Sequence, residues 1–155
     1  MSNRHIEIIA RGVCVKDGRL LLCHSKGKWN TYLPGGHVEF GERAEYSLER
    51  EIQEEMGLTA KAGRFLAAVE HTYLRKGRIS CEINLIFEFT ARGLSSRCSP
   101  PSCEDYIEFF WAPVSGLRRH NLEPEALCRL IPLWLKGTCR PVRWASTYDK
   151  KKSPA

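Results

Sequence analysis

Hydrophobic and polar positions change period several times along the chain, and each change predicts an element. From His5 to Lys16, Ile and Val recur in partial alternation, which reads as a strand. Asp17-Gly18 predicts a hairpin turn, with Leu20 to His24 as the return strand. Ser25 to Lys28 is a basic turn. Trp29 to Leu33 runs into Pro34, which ends regular structure before a glycine-bearing loop at Gly35-Gly36. A helix is expected from about Ala44 to Met56, stopped by Gly57 as its C-terminal cap. Ala60 to Tyr73 returns to strand, with Ala67, Val69 and His71 alternating. Arg75 to Arg78 is a basic hairpin turn, and Ile79 to Thr90 is the longest strand-like run. Ala91 to Glu104, rich in Gly, Ser and Pro, reads as a loop. Asp105 to Pro113 is an aromatic strand. Pro124 is expected to open a helix to about Leu135, with Leu127, Leu130, Ile131 and Trp134 on one face. Pro132 would kink or stop it, and Gly137 is its latest end. The remainder reads as irregular. Strands around one helix, followed by a terminal helix, predict an α/β domain with helices on both faces of a mixed sheet. That domain is expected over residues 1–146, with a basic, flexible tail over 147–155.

Composition narrows the class without naming a chemistry. At 155 residues and 43% apolar content the chain suits one globular domain that needs no staples. No apolar run approaches the roughly 20 residues needed to span a membrane. No apolar core follows Met-Ser-Asn-Arg-His, so a cytoplasmic protein is expected. The seven cysteines are odd in number, irregularly spaced and without a C-x-x-C. Free thiols are therefore expected rather than zinc or a disulfide framework. Net charge is +6, of which the stretch from Asp149 to Ala155 supplies +2. The mild remaining bias suits a phosphorylated small molecule, and the absence of a basic stripe argues against nucleic acid.

The chemistry concentrates in one stretch, Gly35 to Leu58. At about 100° per residue, Glu51, Glu54 and Glu55 share one face of the expected helix. Glu42 lies just ahead and can reach the same place. Like charges so arranged repel one another. Either the face is simply solvated, or the carboxylates converge on a hard divalent cation such as Mg2+ or Mn2+. Arg50 is expected to offset one carboxylate while pointing away from Glu51.

The same stretch resembles the Nudix box of the MutT-like hydrolases, G-x5-E-x7-R-E-U-x-E-E-x-G-U, where U is a bulky aliphatic. Gly36, Glu42, Arg50, Glu51, Ile52, Glu54, Glu55, Gly57 and Leu58 fill all nine specified positions over twenty-three residues. The resemblance implies a Nudix-type α/β/α sandwich with a central mixed sheet. It also implies hydrolysis, with Mg2+ or Mn2+, of a pyrophosphate bond in a nucleoside diphosphate linked to another moiety: a nucleotide sugar, ADP-ribose, a dinucleoside polyphosphate or a nucleoside triphosphate. By resemblance Glu51, Glu54, Glu55 and Glu42 hold the metal. Glu51 or Glu54 serves catalysis, and Arg50 orients a glutamate. Gly35 and Gly36 let the backbone come close to substrate.

Nudix enzymes often add an acid from outside the box. Glu82, Glu104, Asp105 and Glu108 are the candidates here, although an ordinary surface acid is the plainer reading of each. Glu108 is preferred because it lies just before Trp111, and Glu82 comes next. Trp29, Tyr32 and Tyr73 could stack on a base, although core packing is the plainer reading. Two other functions compete: a nucleotide-binding regulatory module without turnover, and an RNA 5′-end hydrolase. A homodimer is left open.

Overall fold

The computed structural model describes residues 5–137 and 143–148. Cys139 and the tail from Asp149 onward lie outside them. The first strand-like run divides into β1 (Ile6–Val13) and β2 (Val15–Lys16), interrupted at the buried Cys14. β2 turns through Asp17-Gly18, both at positive φ, into β3 (Arg19–Ser25). Next come β4 (Gly35–His37), α1 (Ala44–Met56), β5 (Ala60–Arg75) and β6 (Arg78–Ala91). After a loop follow β7 (Ile107–Pro113), a 3-10 helix over Val114–His120, α2 (Leu127–Lys136) and β8 (Trp144–Ser146).

Five strands form a mixed sheet in the order β4-β1-β6-β5-β8. β1 runs parallel to β6 and β8 parallel to β5, while the other two pairings are antiparallel. β2, β3 and β7 make a second, antiparallel sheet. Alternation along each strand sends one set of residues to each helix. Ala10, Phe87 and Phe89 pack with Leu48, Ile52 and Met56 of α1. Val13, Ala67, Val69 and Ile86 pack with Leu127, Leu130, Ile131 and Trp134 of α2. The α/β/α sandwich expected from the sequence is present.

Leu48, Ile52 and Met56 recur every fourth residue and are all buried, so α1 is fastened along one stripe. Each contributes about 2 kcal/mol by burial. Removing the Ile52 side chain beyond Cβ would cost about 2–5 kcal/mol. Gly57, at φ 68°, ends the helix by donating its N–H to the Gln53 carbonyl.

Three local expectations need correction. Gly35-Gly36 is not a loop but part of edge strand β4, paired with Arg11 and Ala10. α2 begins at Leu127 rather than Pro124, whose carbonyl accepts the Leu127 N–H, and it passes through Pro132 to Lys136. The segment read as irregular after α2 supplies β8. Among the described residues no helix is long and apolar enough to cross a membrane.

Candidate active site

The site is built where β4 crosses the inner face of α1. Ser47, fully buried, donates through Oγ to the His37 carbonyl at 3.0 Å and ties the helix to the strand. Gly35 has φ 129°, and a Cβ there would meet the Ala10 carbonyl oxygen at 2.0 Å. A Cβ on Gly36 would meet the carboxyl group of Glu51. Both glycines are therefore required by close approach, one of backbone and one of a carboxylate side chain.

Arg50 does far more than offset one carboxylate. Its Nε and Nη2 form a fork onto Glu42 Oε1 and Oε2 at 2.9 and 3.0 Å. Nη1 donates to Glu51 Oε1 at 3.0 Å and to Glu54 Oε2 at 3.1 Å. Nη2 also donates to the His37 carbonyl at 3.1 Å. The expectation that Arg50 points away from Glu51 fails because a long side chain can fold back across its own helix face. The guanidinium fork holds the Glu42 carboxyl down at about 2, well under its ordinary 4.5. The same carboxylates push the Arg50 pKa up.

Glu55 sits deeper. Burial raises its pKa to about 7, and Glu51 and Glu104 add to the rise. Arg11 and the Gly35 N–H act the other way. Its Oε2 is buried and has no hydrogen-bond partner among the described residues. Arg11 was missed in the sequence. Its Nη1 donates to the Leu33 and Gly35 carbonyls at 3.0 and 2.9 Å, and its guanidinium lies over the Tyr32 ring. The available signal was a basic residue inside a largely apolar strand.

The acids proposed outside the helix separate. Glu108 accepts from His24 Nε2 at 3.1 Å across the β3–β7 pair, and so faces His24 rather than the α1 carboxylates. Glu82 is buried on the sheet face turned away from α1, where it accepts from Asn84 Nδ2 at 2.8 Å. Glu104 is the one whose charge acts on Glu55. Its loop is tied to the end of α1 by the Cys103 N–H, which donates to the Glu55 carbonyl at 2.7 Å. Lys26, Glu104, Asp105 and Glu108 line an open cleft of about 540 Å3 beside it.

The donor set suits a hard cation: carboxylate oxygens, one of them, on Glu55, buried and unpaired among the described residues. Among the described residues no three side chains already converge as metal ligands. Glu42, Glu51, Glu54 and Glu55 have the chemistry to hold such an ion, Glu54 from the exposed surface of the helix.

The family model for the NUDIX domain matches residues 4–130. The chain belongs to the NUDIX family. Over 65 residues it is 40% identical to an ADP-ribose pyrophosphatase of Methanocaldococcus jannaschii, covering 40% of this chain and 38% of that protein. Over 59 residues it is 36% identical to an RNA pyrophosphohydrolase of Sodalis glossinidius, covering 38% of this chain and 34% of that one. The NUDIX chain thus matches little more than a third of either relative's length. A NUDIX hydrolase structure from Nitrosomonas europaea superposes with a TM-score of 0.66 at 15% identity, covering 89% of this chain and 94% of that one. A structure described as a UDP-X diphosphatase gives 0.57 at 20% identity, covering 94% and 69%. At such identities these two show the NUDIX fold alone.

Proposed function

We propose that the chain is a divalent-metal-dependent pyrophosphohydrolase acting on a nucleoside diphosphate linked to another moiety. The observation that carries this is the Glu42–Arg50–Glu51–Glu54 cluster, seated on Gly36 beside a half-buried Glu55 of raised proton affinity. A structural helix face has no reason to bury an unpaired carboxylate oxygen against a glycine strand.

Glu51, Glu54 and Glu55 would hold Mg2+ or Mn2+, with Glu104 close by. When bound, the ion would neutralise the diphosphate and acidify a water. Arg50 keeps Glu42 and Glu51 in fixed orientation, so little reorganisation is left for the reaction itself. Glu104 stands on a loop tied to the helix end and would take the proton of the attacking water. Lys26, on the wall of the same cleft, is positioned to meet phosphate charge.

The test is a phosphate-release screen over nucleoside diphosphate derivatives with Mg2+ or Mn2+, run beside Glu54→Gln. Turnover should fall by at least about a hundredfold in the variant, with the fold kept. Near-normal rates in the variant would overturn the assignment. One of the two relatives is named an RNA pyrophosphohydrolase, so a 5′-triphosphorylated RNA belongs in the same screen.

A further inference from the structure

The face of the five-stranded sheet that carries α1 is only half covered. Ala10, Phe87 and Phe89 lie on it and pack under the helix. Along β1, exposure on this face climbs from 0% at Ala10 through 38% at Ile8 to 56% at Ile6. Along β6 it climbs from 5% at Phe87 to 70% at Ile79. Alternation keeps each series on one face, so the helix ends before the sheet does. Register carries the bare region across four strands. Ile8 lies beside Ile83, Ile83 beside Glu70 and Glu70 beside Ser146, while Leu74 lies beside Ile79 and Trp144 beside Ala68. Ile6, Ile8, Leu74, Ile79 and Trp144 make five of the twelve large hydrophobic side chains exposed among the described residues. Scattered singly they would need no explanation, but gathered on one face they mark an interaction surface.

Charge on this surface is placed unevenly. Glu70 sets a half-buried carboxylate in the middle of the apolar ground, without an ion pair among the described residues. The β5–β6 hairpin at the end of the sheet holds Arg75, Lys76 and Arg78, likewise without ion pairs among the described residues. Within one copy the two charges cannot meet. Lys76 follows Glu70 by six residues, nearly all in extended strand, which is about 20 Å.

Size and charge narrow the occupant. Four strands about 4.8 Å apart, bare over about six residues of about 3.3 Å each, give on the order of 400 Å2 of flat face per copy. Two such faces bury about 800 Å2 before side-chain relief is counted, near the roughly 1,000 Å2 at which a specific interface begins. A lipid surface would have to take Glu70 into its apolar layer, which is costly. A surface that offers both an acid and cations is instead complementary to itself.

We propose that a second copy of this chain docks on this face, sheet against sheet, with strand directions reversed. Two sheets related by a two-fold axis can stack in two ways. With the axis along the strands, the two hairpin tips meet and their cations repel. With the axis across the strands, the tip of one copy comes down over the Glu70 row of the other. Lys76 then reaches Glu70 of the partner subunit, and symmetry makes that contact twice around a centre of Ile6, Leu74 and Ile79. None of the residues lining the cleft beside Glu104 belongs to this face, so pairing leaves both clefts open to substrate.

The experiment is sedimentation velocity of the full chain over a concentration series, with circular dichroism melts confirming that each variant folds. The wild type should be a dimer at micromolar concentration. Leu74→Ser with Ile79→Ser, both at exposed positions, should leave a folded monomer. Glu70→Lys and Lys76→Glu should each weaken the dimer at least about tenfold, because each contact is made twice. Combining the two should bring the dimer back to within about threefold of wild type. Carbodiimide should also join Lys76 to Glu70, a link that only two copies can make. A wild type that is monomeric at every concentration, a dimer indifferent to the Leu74 and Ile79 changes, or a charge swap without rescue would overturn the assignment. A monomer that floats with vesicles of anionic phospholipid would give the face to lipid and overturn it equally.

Discussion

The carboxyl carbon of Glu51 lies 2.3 Å from the position a Cβ on Gly36 would take. The two residues come from different elements, and neither can change without moving the other. Gly36→Ala should therefore displace Glu51 rather than unfold the chain. We expect about a hundredfold loss in kcat/KM with a stability cost of about 1–3 kcal/mol. Gly35→Ala meets backbone instead, and should show its larger effect in thermal melts. Steady-state rates set against melting curves separate the two.

Arg50→Lys should behave as a drastic change, because an ammonium cannot reproduce the fork onto Glu42. Glu42 is held at about 2 in the fold against an ordinary 4.5. Its contribution is therefore present above 4.5 and is lost as pH falls through 2. In the wild type, urea midpoints should decline across that window. In Arg50→Lys this part of the decline should shrink.

Glu55 has the opposite sign. Its folded-state pKa of about 7 exceeds the ordinary 4.5, so its contribution is fully present below 4.5 and is lost as pH rises through 7. Glu55→Gln should stabilise the metal-free chain above neutrality by on the order of 2 kcal/mol, while abolishing turnover. Added Mg2+ should raise the wild-type melting temperature more at about pH 8 than at about pH 5.5, with proton release seen calorimetrically.

Glu104→Gln should cut the rate at least about a hundredfold. Glu108→Gln should leave it within about threefold, since Glu108 faces His24 rather than the α1 carboxylates. Equal losses in both variants would mean that the cleft wall, not a single acid, assists the reaction.

The sequence displayed the parts of this design that are local. The bounds of α1, its Gly57 cap and the turns at Asp17-Gly18 and Lys76-Gly77 follow from helix and turn chemistry, and all appear as expected. The nine motif positions were equally plain. What escaped depends on tertiary pairing. β8 is three residues long and exists by pairing with β5. Which sheet face Glu82 occupies follows from strand order and register rather than from alternation alone. The reach of Arg50 to three carboxylates depends on rotamers, and Arg11 became meaningful only once Leu33 and Gly35 were seen in front of it.

Among the described residues β4 is the outermost strand of its sheet, with hydrogen-bonded neighbours on one side only. Glycines lend it no side chains to grip the core, so its fastening falls to Arg11 and Ser47. Outer strands unzip ahead of the interior. On warming, this protein should fall silent several degrees before it melts, because the seam that seats Glu51 opens while the remainder of the sheet stays closed.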